Sequence, residues 1–299
     1  MSLLLIDATG LLVRSERAGR DSGMTAEVDD ETILTGPLFL FIRSVCGYLR
    51  EHKPDYALAA WDGPDAAGWR RGQYPLYKAN RPPPPDHDSA YARTTWRFLD
   101  ALGIAQMRIR GFEGDDLISW ACWRASHEET GDILIRSDDA DLHQLLGFGT
   151  IQFGLGGNSM PMTGGDIIAS YGVTAPALPK FRAIAGDRSD NIPGMPGIGP
   201  KTAVKLLQRA QWQLEGISHK SLDGDDHLRQ ALATYRRILD LSERREDLDR
   251  CINRDGASPY SIARACQWKP GEAVLRARRI FEKYDMESLV RALDNGRLW

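Results

Sequence analysis

Apolar runs and helical repeats alternate along the first half of the chain. Consecutive apolar residues are typical of buried strands, and apolar residues three and four positions apart predict amphipathic helices. The predicted strands are residues 2–7, 55–61, 104–109 and 132–136, and the predicted helices are residues 32–51, 89–102 and 115–128. Strands that alternate with helices favour an α/β fold, with a mostly parallel central sheet flanked by helices and joined by right-handed crossovers.

The pattern changes near residue 176, beyond which helical segments dominate to the last residue. We therefore predict an α/β core at residues 1–175 and an all-helical region at residues 176–299. The opening MSLLLID predicts a first strand rather than a signal peptide, because no basic segment precedes it. No apolar run approaches the roughly 18 residues of a membrane span, so we expect a cytoplasmic protein with no membrane partner.

Acidic residues recur where these apolar runs end or helices begin. The carboxyl ends of parallel strands meet at one edge of a sheet, where the sites of such folds form. A buried carboxylate costs on the order of several kcal/mol of folding free energy unless it is paired or metal-bound, and oxygen ligands suit Mg²⁺ or Mn²⁺. The candidate ligands are Asp7, Asp62, Glu113, Asp115, Asp116, Asp139, Asp141, Asp187 and Asp190. The alternative is that these acids serve as turn formers and helix N-caps.

The charge balance changes once these nine acids are set aside. The net charge is -3, but the remaining 32 acids face 38 Lys and Arg residues. The basic residues cluster at Arg70, Arg71, Lys78 and Arg81, at Lys201 and Lys205, at Arg236, Arg237, Arg244 and Arg245, and at Arg276, Arg278 and Arg279. A basic surface around an acidic pocket suits a polyanionic substrate, although such runs are also common on solvated faces. The four Cys and six His residues show no zinc-type spacing.

Residues 62–96 interleave aromatic and cationic side chains. Trp69, Tyr74, Tyr77 and Tyr91 lie among arginines and a lysine, and four consecutive prolines occupy positions 82–85. Rings that stack on bases, together with cations that bind phosphates, are typical of a single-strand nucleic-acid site. A solvated loop without such a role is the alternative.

Residues 186–207 contain a Gly-rich turn ahead of a predicted helix. In Gly197-Ile198-Gly199 followed by Pro200, backbone N–H groups and a helix N-terminus would face an anion, with Lys201 beside them. The spacing resembles a Walker A motif, but Pro200 stands where that motif needs lysine, which excludes a P-loop ATPase. A hairpin that grips the backbone of duplex DNA fits better, and an ordinary pair of helix caps is the alternative.

Several motifs, in order, resemble the 5′–3′ exonuclease and flap endonuclease family. The strongest is AGDRSDNIPG at residues 185–194, followed by GIGPKTA. The others are LIDATG, WDGP with WRR and YKANRP, FEGDDLIS, DADLHQLL and RIFEKYDMESLV. That family includes the nuclease domain of bacterial DNA polymerase I and stand-alone phage enzymes. The resemblance covers essentially the whole chain and implies a free-standing nuclease from a phage or bacterium.

The resemblance implies that the nine acids bind two or more divalent ions. In the run Ser137–Asp141, three acids stand where the family has a D-x-D pair. Aligning the LHQL that follows places the pair on Asp139 and Asp141. Asp138 is then an extra acid at a position that is usually small or uncharged.

The resemblance also implies a helical arch at about residues 66–95 and a helix–three-turn–helix motif at residues 194–202. In relatives the second motif also binds a K⁺ ion through backbone carbonyls and a hydroxyl. The residues implied to contact DNA are Arg70, Arg71, Tyr77, Lys78, Arg81, Gly197, Gly199, Lys201 and Thr202.

The chemistry implied is hydrolysis of phosphodiester bonds by two divalent ions about 4 Å apart, leaving a 5′-phosphate and a 3′-hydroxyl. The expected catalytic residues are Lys78, Arg81, Asp116 and Asp139. The expected substrates are DNA with a 5′ flap, a duplex or a single-strand junction, and an RNA–DNA hybrid; we expect a monomer that acts in replication or repair.

Two other functions remain open. A PIN-type ribonuclease would share the acidic core but lacks the arch and the GIGPKTA hairpin. A catalytically inactive DNA-binding protein would keep the hairpin while losing acids, and no acid is missing at the matched positions.

Overall fold

The computed structural model describes residues 1–28, 31–82, 89–128, 130–147, 149–156, 159–253 and 260–299. Residues 83–88, which hold most of the proline run in the predicted arch, lie outside the described residues. The strands are β1 (Ser2–Asp7), β2 (Thr25–Val28), β3 (Glu31–Leu34), β4 (Tyr56–Trp61), β5 (Ala105–Arg108), β6 (Asp132–Arg136) and β7 (Thr150–Phe153).

A five-stranded parallel sheet with the order β5-β4-β1-β6-β7 forms the centre of the fold. Strand β1 lies in the middle, with β4 on one side and β6 on the other. The carboxyl ends of these three strands therefore lie side by side. The predicted α/β class with a mostly parallel sheet is confirmed.

The helices of the first half are α1 (Ala8–Gly19), α2 (Gly36–His52), α3 (Gly68–Gln73), α4 (Ala90–Ala101) and α5 (Gly114–Ala125). Those that follow are α6 (Gly164–Tyr171), α7 (Leu178–Ala185), α8 (Pro200–Arg209), α9 (Asp226–Leu239), α10 (Arg245–Ile252), α11 (Ile262–Ala265), α12 (Pro270–Lys283) and α13 (Glu287–Asp294). A 3-10 helix at Ala140–Leu145 follows β6.

The prediction of a helix over residues 32–51 is wrong at its start. Residues 32–34 belong to β3, which pairs with β2 in a separate antiparallel hairpin, and the helix begins at Gly36. Pro37 lies in the first turn of the helix, where a missing N–H costs nothing. The four predicted strands are all present, with ends shifted by at most one residue.

Alternating residues of β1 separate the two faces of the sheet. Leu4 and Ile6 pack with α1, α2 and α4, whereas Leu3 and Leu5 pack with α5. All four side chains are fully buried, as expected for a central parallel strand with both faces covered. A separate apolar cluster joins α6, α7, α8 and α9.

The last helices return to the first half of the chain. Phe281 of α12 lies 6.1 Å from Phe98 of α4 between ring centroids, and the indole of Trp268 donates to the Leu102 carbonyl at 3.0 Å. Helices therefore dominate after residue 176, as predicted, but only part of them forms the separate cluster. Among the described residues, no helix combines the length and apolar character needed to cross a membrane.

Candidate active site

Two acids lie at the carboxyl ends of the central strands. Asp7 ends β1 and caps α1, accepting from the Gly10 N–H at 2.8 Å, while the Ser137 hydroxyl donates to its second oxygen at 2.7 Å. Asp62 follows β4 and accepts from the Gly114 N–H at 2.7 Å. The first turn of α5 is thereby fixed against the end of β4.

The start of α5 brings three more acids to the same edge. Glu113 and Asp116 form a capping box, in which the Glu113 N–H donates to Asp116 at 3.1 Å. Asp115, between them, points into the group formed by the other strand ends, since one of its oxygens lies near Asp139 and Asp141.

Asp115, Asp139 and Asp141 are the acids that the structure brings closest together. Each offers an oxygen, and these oxygens all lie within 4.8 Å of one another. Asp139 and Asp141 are the D-x-D pair that the sequence alignment selected. Among the described residues, Oδ1 of Asp115 is buried without a hydrogen-bond partner, and its nearest cation is Arg70 at 3.9 Å. A buried unpartnered carboxylate oxygen beside two others fits an oxygen-coordinated divalent cation.

Arg182 joins this group to the acids of the helical region. Its guanidinium forms ion pairs with Asp141 and, at 3.5 Å, with Asp187, and it donates to the Ala140 carbonyl at 2.8 Å. Arg182 was not among the site residues predicted from the sequence. The segment LPKFRAIA could have indicated it, because it places an arginine within an apolar run just before the Asp187 motif. In the structure this arginine is buried in α7.

Asp187 and Asp190 lie on a loop that is bound to residues 74–81. Arg81 donates to Asp190 at 2.9 Å and to the Ser189 carbonyl at 3.0 Å, and the Lys78 N–H donates to the Asp190 carbonyl at 3.1 Å. The predicted arch therefore contacts the acidic loop through both backbone and side chains.

Lys78 pairs with a different acid of the group from those that Arg182 binds. Its amine lies 2.7 Å from Glu113, and its backbone adopts the left-handed conformation with φ of 53°. Burial alone would lower the pKa of Lys78, but the Glu113 carboxylate raises it, so the amine stays cationic at neutral pH. The pairing works in both directions, because Lys78 and Arg70 hold the pKa of Glu113 below its usual range despite burial.

Three predicted site residues have other partners than expected. Arg70 was predicted to contact DNA, but it is 1 % exposed and binds Glu113, both oxygens of Asp116 and the Ile238 carbonyl. Tyr77, also predicted to contact DNA, is 1 % exposed and donates to Glu113 at 3.1 Å. Asp116 was predicted as a ligand and a catalytic residue, yet Arg70 and the Glu113 N–H occupy its oxygens. These contacts hold α3 against α5 and α9.

The remaining predicted DNA contacts lie at the surface. Arg71, Gly197, Gly199, Lys201 and Thr202 are exposed. Helix α8 begins after Gly199 without a side-chain cap, and the Thr202 and Ala203 N–H groups donate to the Gly199 carbonyl. The anion site at this turn stays a prediction.

Family models match both halves of the chain. Residues 2–171 match the model described as 5′-3′ exonuclease, N-terminal resolvase-like domain, and residues 173–255 match that described as 5′-3′ exonuclease, C-terminal SAM fold. The chain belongs to the 5′-3′ exonuclease family. The resemblance drawn from the motifs is confirmed, as is the prediction that the chain is a nuclease of this class.

Curated relatives agree with this membership. A 5′-3′ exonuclease of Halalkalibacterium halodurans is 33% identical over 211 residues, which cover 69% of this chain and 69% of the relative. DNA polymerase I of Caldicellulosiruptor bescii is 33% identical over 217 residues, 70% of this chain but only 24% of the polymerase. The match therefore spans about a quarter of that longer enzyme.

Solved structures share the fold at low sequence identity. The flap endonuclease of bacteriophage T5, crystallised with DNA and metal ions, aligns over 95% of this chain and 99% of its own with a TM-score of 0.67 at 16% identity. The catalytic core of Rad2 with a DNA substrate aligns over 97% of this chain and 92% of its own with a TM-score of 0.56 at 13% identity. These likenesses establish the architecture of this exonuclease-family chain.

Crowding of the acids raises the pKa of several of them. Burial, with the neighbouring Glu113 charge, raises the pKa of Asp62 to about 7, and burial with the Asp141 charge does the same for Asp190. The pKa of Asp141 rises to about 6 through burial and the Asp139 charge. Without a cation to share, these carboxylates resist ionisation together.

We predict opposite effects for two adjacent acids of α5. Asp115→Asn removes a buried carboxylate oxygen that accepts no hydrogen bond from the described residues and lies among other acids, so it should raise the melting temperature in EDTA at pH 8 and abolish the further rise that Mg²⁺ gives the parent. Asp116→Asn takes charged hydrogen bonds from buried Arg70 and should destabilise the fold by about 2 kcal/mol. Thermal melts with and without Mg²⁺ measure both effects. A stabilising Asp116→Asn together with a destabilising Asp115→Asn would reverse the assigned roles.

We also predict that Asp62 contributes to a pH-dependent stability in the absence of divalent ions. Because its pKa is raised from 3.8 to about 7, the folded state binds a proton more tightly than the unfolded state between these values. Its contribution to stability is therefore present near pH 4 and is lost as the pH rises through 7. His52 and His143, whose pKa values are lowered by burial, act in the opposite direction. The measurement is thus the difference in melting temperature between the parent and Asp62→Asn in EDTA. This difference should fall from pH 5 to pH 8. A constant difference would contradict the raised pKa.

Proposed function

We propose that this chain is a structure-specific 5′ nuclease that hydrolyses phosphodiester bonds in DNA with free 5′ ends or 5′ flaps. The observation that carries the proposal is the convergence of Asp115, Asp139 and Asp141, whose oxygens lie within 4.8 Å of one another, together with a buried Asp115 oxygen that accepts no hydrogen bond from the described residues. The site lies where residues 74–81, the acidic loop and the central strands meet. The T5 and Rad2 structures of the same fold were solved with DNA, which supports DNA as the substrate.

The acids divide into two groups in this proposal. The proposed ligands of Mg²⁺ or Mn²⁺ ions are Asp7, Asp62, Asp115, Asp139, Asp141, Asp187 and Asp190. We assign Glu113 and Asp116 to holding Lys78 and Arg70, since these ion pairs already engage them. When bound, the ions would activate a water and polarise a phosphate oxygen, a chemistry that leaves a 5′-phosphate and a 3′-hydroxyl.

The cations of the site would position the strand. Lys78, cationic and held by Glu113, and Arg81, held by Asp190, would neutralise charge on the scissile phosphate. Arg81 is partly exposed, so part of its guanidinium faces solvent, where a strand would approach. The backbone contacts to the 187–190 loop fix both cations relative to the acids.

The hairpin before α8 would bind the duplex away from the cut. Its exposed glycines, Lys201 and Thr202 contact backbone phosphates in this proposal, and a K⁺ ion would join the carbonyls there. Phosphate contacts position a duplex without reading its sequence, which gives specificity for structure. We further propose that the chain acts as a monomer in flap or primer removal and also accepts an RNA–DNA hybrid.

Cleavage of an end-labelled 5′-flap duplex tests the function directly. We expect cutting near the junction with Mg²⁺, and none with EDTA or with Asp115→Asn. A single-stranded RNA of equal length serves as the second substrate. Faster cutting of the RNA would favour a PIN-type ribonuclease, and tight flap binding without cutting in Mg²⁺ or Mn²⁺ would indicate a structural role in DNA binding.

We predict that Lys201→Ala weakens flap binding while leaving the single-turnover cleavage rate nearly unchanged, because Lys201 is exposed and, among the described residues, forms no ion pair with the acids. Removing one phosphate contact should reduce the slope of log Kd against log salt by about 1. Anisotropy titrations at several salt concentrations measure this slope. Lys269→Ala, at an exposed lysine before α12, is the matched control. Equal effects of the two variants would show that Lys201 acts only through net charge.

A further inference from the structure

A cavity of about 760 Å³ opens beside the acids on the side of α1. Its lining includes arginines and aspartates beside the apolar side chains of Val13, Ala18, Ala140 and Leu155. The residues that matter here are Arg14, Arg17, Arg81, Asp7, Asp138 and Asp139. The cavity thus reaches from the proposed ligands Asp7 and Asp139 to two arginines of α1 that the sequence analysis did not single out.

Asp138, the extra acid next to the D-x-D pair, binds one of these arginines. Its Oδ2 accepts from Nη1 of Arg14 at 3.0 Å, and its Oδ1 accepts from the Leu155 N–H at 2.9 Å. Asp138 does not join Asp115, Asp139 and Asp141, the three acids whose oxygens lie within 4.8 Å of one another. The acid is therefore fixed at both oxygens and turned toward α1.

Two glycines in the loop after β7 leave space for the Arg14–Asp138 pair. A Cβ on Gly154 would lie 2.9 Å from Oδ1 of Asp138, and a Cβ on Gly156 would lie 3.2 Å from Nη2 of Arg14. Both distances are shorter than ordinary van der Waals contact. The loop therefore accommodates the paired arrangement of Arg14 and Asp138 closely.

The ion pair between Arg14 and Asp138 orients the Arg14 guanidinium more than it stabilises the fold. Both side chains are about half exposed, at 52% and 51%, and such pairs are worth at most about 1 kcal/mol. A guanidinium has five donors in a fixed plane, and the Asp138 contact uses one of them. With that contact made, the rest of the Arg14 head group lies at the cavity.

We propose that Asp138 is a positioning residue that holds Arg14 for a backbone phosphate of the 5′ strand passing through this cavity beside Asp7 and Asp139. The inference rests on the proposed DNA substrate. A carboxylate by itself repels a phosphate, so a benefit from Asp138 comes through the groups that it holds, Arg14 and the Leu155 N–H, and only the route through Arg14 vanishes in the Arg14→Gln background. Removing Asp138 therefore distinguishes two effects on DNA binding. Loss of the Arg14 orientation should weaken binding, whereas loss of a negative charge should strengthen it.

The test compares Arg14→Gln, Asp138→Ala, Asp138→Asn and the double variant Arg14→Gln/Asp138→Ala in binding of a 5′-flap duplex, measured by anisotropy in EDTA over a salt series. Arg14→Gln should raise Kd several-fold and reduce the salt slope by about 1, as expected for one lost phosphate contact. Asp138→Ala should also weaken binding, although it removes a negative charge. The double variant should bind no more weakly than Arg14→Gln. Asp138→Asn keeps an acceptor for Arg14 and should bind at least as tightly as the parent.

The matched control is Arg20→Gln, which removes an exposed arginine at the end of the same helix, paired with Glu16 and outside the cavity. Tighter binding by Asp138→Ala, additive losses in the double variant, or equal effects of Arg14→Gln and Arg20→Gln would each overturn the inference. If the unchanged protein bound no flap DNA, the proposed function would fail and this inference with it. If the parent cleaved the flap and the Arg14→Gln variant bound flap DNA as tightly as the parent, this inference alone would be overturned.

Discussion

Mutual repulsion among carboxylates gathered at one edge of the sheet is the constraint on which the rest of the structure depends. The parallel strands and the start of α5 force acids into a small volume, where each loses hydration and meets like charge. The protein supplies cations from outside the sheet: Arg70 from α3, Lys78 from the segment after it, and Arg182 from α7. These side chains tie separate parts of the chain to the same edge.

These cations do not compensate all of the repulsion among the carboxylates, and the acids that they leave uncompensated define the site. Glu113 and Asp116 are well paired, whereas the buried Asp115 oxygen accepts no hydrogen bond from the described residues and the pKa of Asp62 is raised to about 7. A protein that needed only stability would gain from replacing such acids. Retaining them is the expected cost of a centre that binds divalent cations, and the membership in the 5′-3′ exonuclease family agrees with that explanation.

The same ion pairs connect the proposed catalytic and DNA-binding parts. The acidic loop at Asp187–Asp190 lies between α7 and the hairpin before α8, and it is also the surface that residues 74–81 contact. Asp138 and Arg14 extend this network to α1 on the far side of the site.

The sequence by itself determined the fold class and the family, because strand periodicity and motif order are local features, and the family pattern placed the D-x-D pair on Asp139 and Asp141, which the structure brings together with Asp115. It could not determine which charged side chains face solvent. Arg70 and Tyr77 lie in a segment whose composition resembles a DNA-binding surface, yet both are buried against α5, and Arg182 was missed. Those outcomes depend on which distant acid each cation meets, and only the tertiary structure decides that, since the partners are separated by some 40 residues along the chain.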